Sequence, residues 1–308
     1  MKKTSVTIIV TLTILILCLW HYQRIKVVPT TPSPASTVET QVVETPPVVN
    51  PLQGIASIEQ TLTQLNASLD LLEREASTDA LLMKFIREYR EQQISAVDFD
   101  TSFKKLRDMP VDIIPMLHMA YGISDEDASH VTALQQNIAE IVRNKHTLFW
   151  TEDFCGGKVV TKENAWEEVR TEFQNTTIPM TTNDLSKASI DAYLEQIRPF
   201  SAAQQVIHEP GVTTVMGGDY RPLKNIHQRL LEYAAHADRG TLPSALDPRR
   251  MPLLRTVLSK GRDLYLLRYI AEHGSQEPQV IVFGAAHTEH LSELLSFYQA
   301  GGQFLVIQ

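Results

Sequence analysis

The sequence predicts an α/β fold: a mostly parallel sheet flanked by helices, with an N-terminal helical arm and an inserted helical or irregular segment. Three observations predict it. Short apolar runs at 111–117, 147–151, 212–216, 280–283 and 304–307 have strand length. Between them lie stretches with apolar residues three and four apart, such as Leu134, Ile138, Ile141 and Val142, then 223–237, 252–272, and Leu291, Leu294, Leu295 and Tyr298. Strand–helix alternation of this kind builds parallel sheets. The composition, 43% hydrophobic and 21% charged, is that of a globular chain and excludes collagen-like, coiled-coil and wholly disordered classes.

The elements follow in order. From Thr4 to Gln23 twenty residues include no Asp, Glu, Lys or Arg, and they are flanked by Lys2–Lys3 and by Arg24 and Lys26. A helix of that length spans about 30 Å, one hydrocarbon core. No small-residue cleavage pattern follows Cys18, so residues 1–26 read as an uncleaved single-pass signal anchor rather than a cleaved signal peptide. The flanking charges favour an N-terminus in the cytoplasm and a globular part in a periplasm or outside the cell. Residues 27–51 hold six of the sixteen prolines and read as an extended tether. The folded unit, 52–308, reads as one α/β domain. In its first part, 52–110, Leu62, Leu65, Leu69 and Leu72, then Leu81, Leu82, Phe85, Ile86 and Tyr89, give a helical arm with one apolar face. That face packs on the main domain or, in a second reading, binds a partner. Residues 155–210, polar by comparison, form the insertion over one end of the sheet.

Charge and cysteine content exclude other classes. Residues 1–51 hold four bases and two acids, which leaves 24 bases against 34 acids in the remainder. Such an acidic domain repels phosphate backbones, so nucleic acid is not an expected partner. Two cysteines, Cys18 and Cys155, build neither a disulfide framework nor a cysteine zinc site. The absence of H-E-x-x-H and G-x-S-x-G removes support for zincins and ordinary serine hydrolases.

The chemistry is expected at strand ends, because sites in open α/β sheets lie beyond the carboxyl ends of the strands. His118 follows the first strand. Glu152 and Asp153 follow the second. Gly284-Ala285-Ala286-His287 follows 280–283, with Thr288 placed to cap the next helix. Two imidazoles and a carboxylate from three strand ends suit a divalent metal with open positions, or general acid–base work. Asp153 is as good a candidate as Glu152 by position. His146, preceding its strand, belongs at the opposite end of the sheet, and His290 reads as an exposed helix residue. In RDLYLLRYIAEHG, 262–274, Arg262 sits near the expected helix beginning. A cation there is an electrostatic misfit that a facing carboxylate or substrate would relieve.

The order PMLH at 115–118, a strand ending in Glu152, a helix opening with Arg262-Asp263, and GAAH at 284–287 before a closing helix resembles the TraB/Tiki superfamily. That superfamily takes in erythromycin-esterase-like and haem-uptake ChaN-like proteins. The resemblance spans roughly 111–308 and is best over RDLYLLRYI…VIVFGAAHTEHLSELL. Pro115 stands where the family has glycine, which marks an edge or bent strand. Asp219, after Gly217-Gly218, falls near an acidic position of the family. The resemblance implies a metal-dependent hydrolase of peptides or esters. His118, Glu152 and His287 would hold a divalent cation (Zn, Mn, Fe or Co). Glu152 and His287 would serve catalysis, and Arg262 would orient Glu152 or stabilise an oxyanion. A metal-free esterase with a histidine base, a non-catalytic haem or metal carrier, and a partner-binding domain are the alternatives.

Overall fold

Four apolar runs pair as parallel strands in the computed structural model, which describes residues 51–75, 78–94, 103–117, 125–175, 186–209, 211, 213–238 and 251–298. The expected membrane span 4–23, most of the tether, His118 and the expected strand at 304–307 lie outside those residues. Among the described residues, no helix is long and apolar enough to cross a membrane.

The strands are β1 (Val111–Met116), β2 (Leu148–Cys155), β3 (Thr214–Asp219) and β4 (Gln279–Gly284), in the spatial order β1-β4-β2-β3. β4 is last in sequence yet sits between β1 and β2. It pairs with β1 from Val111↔Gln279 to Met116↔Gly284, and with β2 from Leu148↔Gln279 to Thr151↔Val282. All six residues of β4 are buried, as its near-continuous apolar sequence requires of a central parallel strand. Among the described residues β1 is an edge, which is where Pro115 is tolerated, since proline donates nothing to a ladder.

The strand boundaries differ from those expected. β2 runs on through Glu152 and Asp153 to Cys155, and β3 begins later and passes through Gly217 and Gly218 to Asp219. Polar and glycine residues weakened the apolar signal at the carboxyl ends, where the site lies.

Nine α-helices are described. They are α1 (Pro51–Glu75), α2 (Ala80–Glu91), α3 (Asp125–Lys145), α4 (Lys162–Asn175), α5 (Lys187–Ile197), α6 (Ala202–His208), α7 (Arg221–Asp238), α8 (Met251–His273) and α9 (Ala285–Tyr298). They form two layers, one per sheet face. On one face Ile113, Trp150, Met216, Ile281 and Phe283 meet apolar residues of α1, α2, α7, α8 and α9. On the other, Ile114, Phe149, Val215, Val280 and Val282 meet α3, α4 and α6. Side chains one apart along each strand divide between the two cores, as the pleat dictates.

The arm packs on the main domain, the first of its two readings, and does not offer an apolar stripe to a partner: Leu65, Leu69, Leu72, Leu82 and Ile86 are at most 1% exposed and belong to the first core. The described residues of 155–210 are largely helical; among them α4 and α6 pack against the sheet face rather than over one end of the sheet, on the way from β2 to β3. That crossover begins with a turn at Gly156 (φ 99°) and Gly157 (φ 65°), a backbone shape that residues with a Cβ rarely adopt. The turn reverses the chain so that Val159 bridges Met216 antiparallel, beside β3.

Candidate functional site

Glu152 marks the place where β2 leaves its neighbours. Pairing with β4 stops at Thr151, and the register with β3 is irregular between Thr151 and Cys155. Glu152 lies two residues beyond Trp150 and so shares its face, the side of α7, α8 and α9. Its Oε2 accepts the backbone N–H of Gly284, the last residue of β4, at 2.6 Å. α9 begins at the very next residue, so the carboxylate also sits at the positive end of a helix dipole. Thr288 therefore lies inside α9 and does not cap it.

Asp153 points the other way. Its Oδ2 accepts the Ser201 hydroxyl at 2.7 Å, at the start of α6 on the opposite face. The pleat thus separates the two acids that position alone left equivalent.

His287 enters from the first turn of α9. Its Nε2 stands 3.9 Å from Glu152 Oε2, and its Nδ1 bonds Asp263 Oδ1 at 2.5 Å. The Phe283 ring meets its imidazole edge-on, 5.5 Å between centroids. Burial pushes the His287 pKa down, but the Asp263 carboxylate outweighs it and the net shift is upward. Asp263 itself is fully buried on α8. Burial raises its pKa, yet the His287 and His290 imidazoles more than reverse that and hold it below the ordinary carboxylate value.

Arg262 precedes Asp263, midway along α8 and not near a helix beginning. The electrostatic misfit expected at a helix start does not arise, yet the facing carboxylate is there. Arg262 donates from Nε to Asp219 Oδ1 at 2.9 Å and from Nη2 to Asp219 Oδ2 at 2.6 Å, a two-point grip. Nη2 also lies 3.8 Å from Glu152 Oε1. Burial opposes its charge, but Asp219 and then Glu152 hold it protonated, its pKa above the ordinary value. Asp219, the last residue of β3, is fully buried.

His227 of α7 completes the group. Its Nδ1 lies 3.2 Å from Arg262 Nη1. A guanidinium only donates, so Nδ1 accepts and the ring proton is assigned to Nε2. Burial and then Arg262 push its pKa down to about 3, so at neutral pH it is an uncharged imidazole.

His290 corrects the sequence reading. It is buried, not exposed, and its Nδ1 bonds the second oxygen of Asp263 at 2.7 Å. His146 does lie at the opposite end of the sheet, where its Nε2 meets Asp112 Oδ2 at 2.7 Å.

Of the expected residues, Glu152, Arg262 and His287 come together; His118 lies outside the described residues. Asp263, His227 and His290 join them. Arg262-Asp263 was conspicuous as a pair, but only the fold shows which way the aspartate faces. His290 carried a usable signal: it shares a helical face with His287, Leu291 and Leu294.

Among the described residues, no group of three or more His, Cys, Asp or Glu side chains is arranged to hold a metal ion. His287 and Glu152 supply two donors, and one oxygen of Glu152 already accepts a backbone N–H. These residues alone do not complete a metal centre. What they form is a buried carboxylate–imidazole pair aimed at a second carboxylate, beside a locked guanidinium. No family model, no curated protein and no solved structure matches this chain.

Proposed function

We propose that this chain is a hydrolase, anchored to a membrane by residues 4–23, that adds water to the carbonyl of a peptide or ester at the carboxyl edge of its sheet. The observation that carries the reading is the line Asp263–His287–Glu152. One imidazole nitrogen is fixed by a buried carboxylate and the other faces a carboxylate at a distance too long for a direct bond. A water seated between the two has an acceptor on each side. His287 Nε2 takes one of its protons while the oxygen attacks the carbonyl carbon, and Glu152 holds the other proton. When the tetrahedral adduct collapses, His287 returns its proton to the departing alcohol or amine. Asp263 orients the ring and stabilises the imidazolium between these steps, the logic of an acid–base dyad.

Arg262 positions rather than reacts. Its bonds go to Asp219 and His227, and its charge steadies Glu152. The sheet topology supports the placement. The connection leaving β2 and the helix leaving β4 lie on opposite faces, so the crevice between these neighbours is a switch point where α/β sheets bind ligands.

A second reading is favoured by one distance. Donor atoms 3.9 Å apart would ligate a single tetrahedral divalent cation at about 2.0–2.2 Å each after closing by a few tenths of an ångström. His118 would be the third ligand, and Asp263 the carboxylate behind a metal-bound imidazole. In that case the ion would supply a water of lowered pKa. A haem carrier is disfavoured by the company His287 keeps: two carboxylates and a guanidinium, not an apolar cleft.

The test is hydrolysis of a panel of nitrophenyl esters and short peptides by the full chain, with metal content measured on the same samples. His287→Asn and Glu152→Gln are expected to lower the rate by at least about 100-fold. Hydrolysis that survives chelation supports the dyad. Loss of both metal and activity in His287→Ala supports the cation. A chain that hydrolyses nothing in either metal state overturns the proposal.

A further inference from the structure

Asp263 has two oxygens, and each holds a different histidine of the same helix. Oδ1 takes His287 Nδ1 at 2.5 Å and Oδ2 takes His290 Nδ1 at 2.7 Å. The two imidazoles are three residues apart, one turn of α9, and so present the same face to α8. His290 is unusual company for that face. It is 7% exposed, among Leu291, Leu294 and Leu295, each at most 1% exposed. Its Nε2 is buried and meets no hydrogen-bond partner among the described residues.

A histidine in that setting is a poor choice for packing. Leucine or phenylalanine would fill the space without burying an unpaired ring nitrogen, which costs free energy. Among the described residues, the polar contact that His290 makes in return is the one to Asp263. A carboxylate held at one oxygen can still swing about its last side-chain bond, and a carboxylate held at both cannot. We infer that His290 is a positioning residue. It pins the second oxygen of Asp263 so that the first keeps the His287 Nδ1 proton and aims Nε2 at Glu152.

The inference rests on the hydrolase reading for its effect on rate, but its physical content is the state of the His287 ring. The experiment therefore reads both. The full chain is labelled with ¹⁵N-histidine, and the imidazole resonances are assigned with His287→Asn. The protonated Nδ1 of His287 is followed in wild type, His290→Leu and His290→Asn, beside the ester and peptide assay. Asparagine places an amide N–H close to where Nδ1 donates; leucine places none. His290→Leu is expected to shift or broaden the His287 Nδ1–H signal and to lower the rate about 10- to 100-fold, the usual effect of losing such a support. His290→Asn is expected to restore most of both. An unchanged His287 signal in His290→Leu overturns the inference, as does His290→Asn behaving no better than leucine while remaining folded. If wild type hydrolyses nothing yet its His287 signal responds in this pattern, the positioning role stands and the hydrolase reading falls.

Discussion

His227 shows how a single side chain can record its surroundings. A histidine ordinarily titrates near 6.5; here burial and the Arg262 guanidinium hold its pKa at about 3. Between those values the unfolded chain binds a proton that the folded chain refuses. Stability on this account rises with pH across that window and is lost as pH falls through it. The slope is up to about 1.4 kcal/mol per pH unit for one proton. His227→Asn keeps an acceptor for Arg262 and removes the titration. Urea unfolding at several pH values from 3 to 7 is expected to show a shallower acid limb in that variant. Parallel limbs would mean that burial and Arg262 do not hold the ring neutral in the folded chain. Asp263 adds to the same limb, since its depressed pKa gives stability that is lost in acid, and it should persist in both proteins.

At the scale of elements, the helix that carries Arg262 and Asp263 meets α2 through a tyrosine that a glycine makes room for. A side chain at Gly261, next to Arg262, would run into the Tyr89 hydroxyl and lie 3.1 Å from both Tyr89 and Leu223. Tyr89 of α2 donates to the Val257 carbonyl at 3.1 Å, so the approach is fixed by a hydrogen bond. Glycine inside a helix costs about 1 kcal/mol against alanine. Gly261→Ala should nevertheless destabilise the protein, by about 1–3 kcal/mol of overpacking. The same change in a Tyr89→Leu background should be neutral or stabilising. Thermal melts of the four proteins in that cycle decide it; additive effects would show that the contact does not govern the spacing.

The helices themselves were legible in the sequence, since apolar residues three and four apart survive burial on one face. Strand cores were legible for the same reason. Strand ends were not, because β2 and β3 finish in Glu152-Asp153 and Gly217-Gly218-Asp219, residues that belong to the site rather than the core. Glu152, Arg262 and His287 stood out as polar groups where an apolar pattern stops. The roles of Asp263 and His290 were harder to read: each sits on an apolar helix face, which marks it as buried but does not say what it faces. Spatial order was hidden too, as nothing local tells β4 to insert between β1 and β2.

In the molecule as a whole, one core joins the N-terminal arm to the sheet. Leu69 and Leu72 of α1 share it with Ile281 and Phe283 of β4, some two hundred residues later. A fragment of residues 111–308 therefore loses one wall of its core. It is expected to bind a hydrophobic dye and to melt without cooperativity, whereas 52–308 melts sharply. Cooperative melting of the shorter piece would show that the arm is an accessory. The position of β4 has a further consequence for how the chain is made. As the polypeptide leaves the ribosome, β1 and β2 emerge with nothing between them, about 9.5 Å apart in the finished sheet. Each must wait, an edge open to wrong pairing, until a strand more than one hundred residues downstream arrives to close the gap. Until then β1 and β2 can meet each other or a strand of another chain, so the order of synthesis itself exposes the molecule to mispairing.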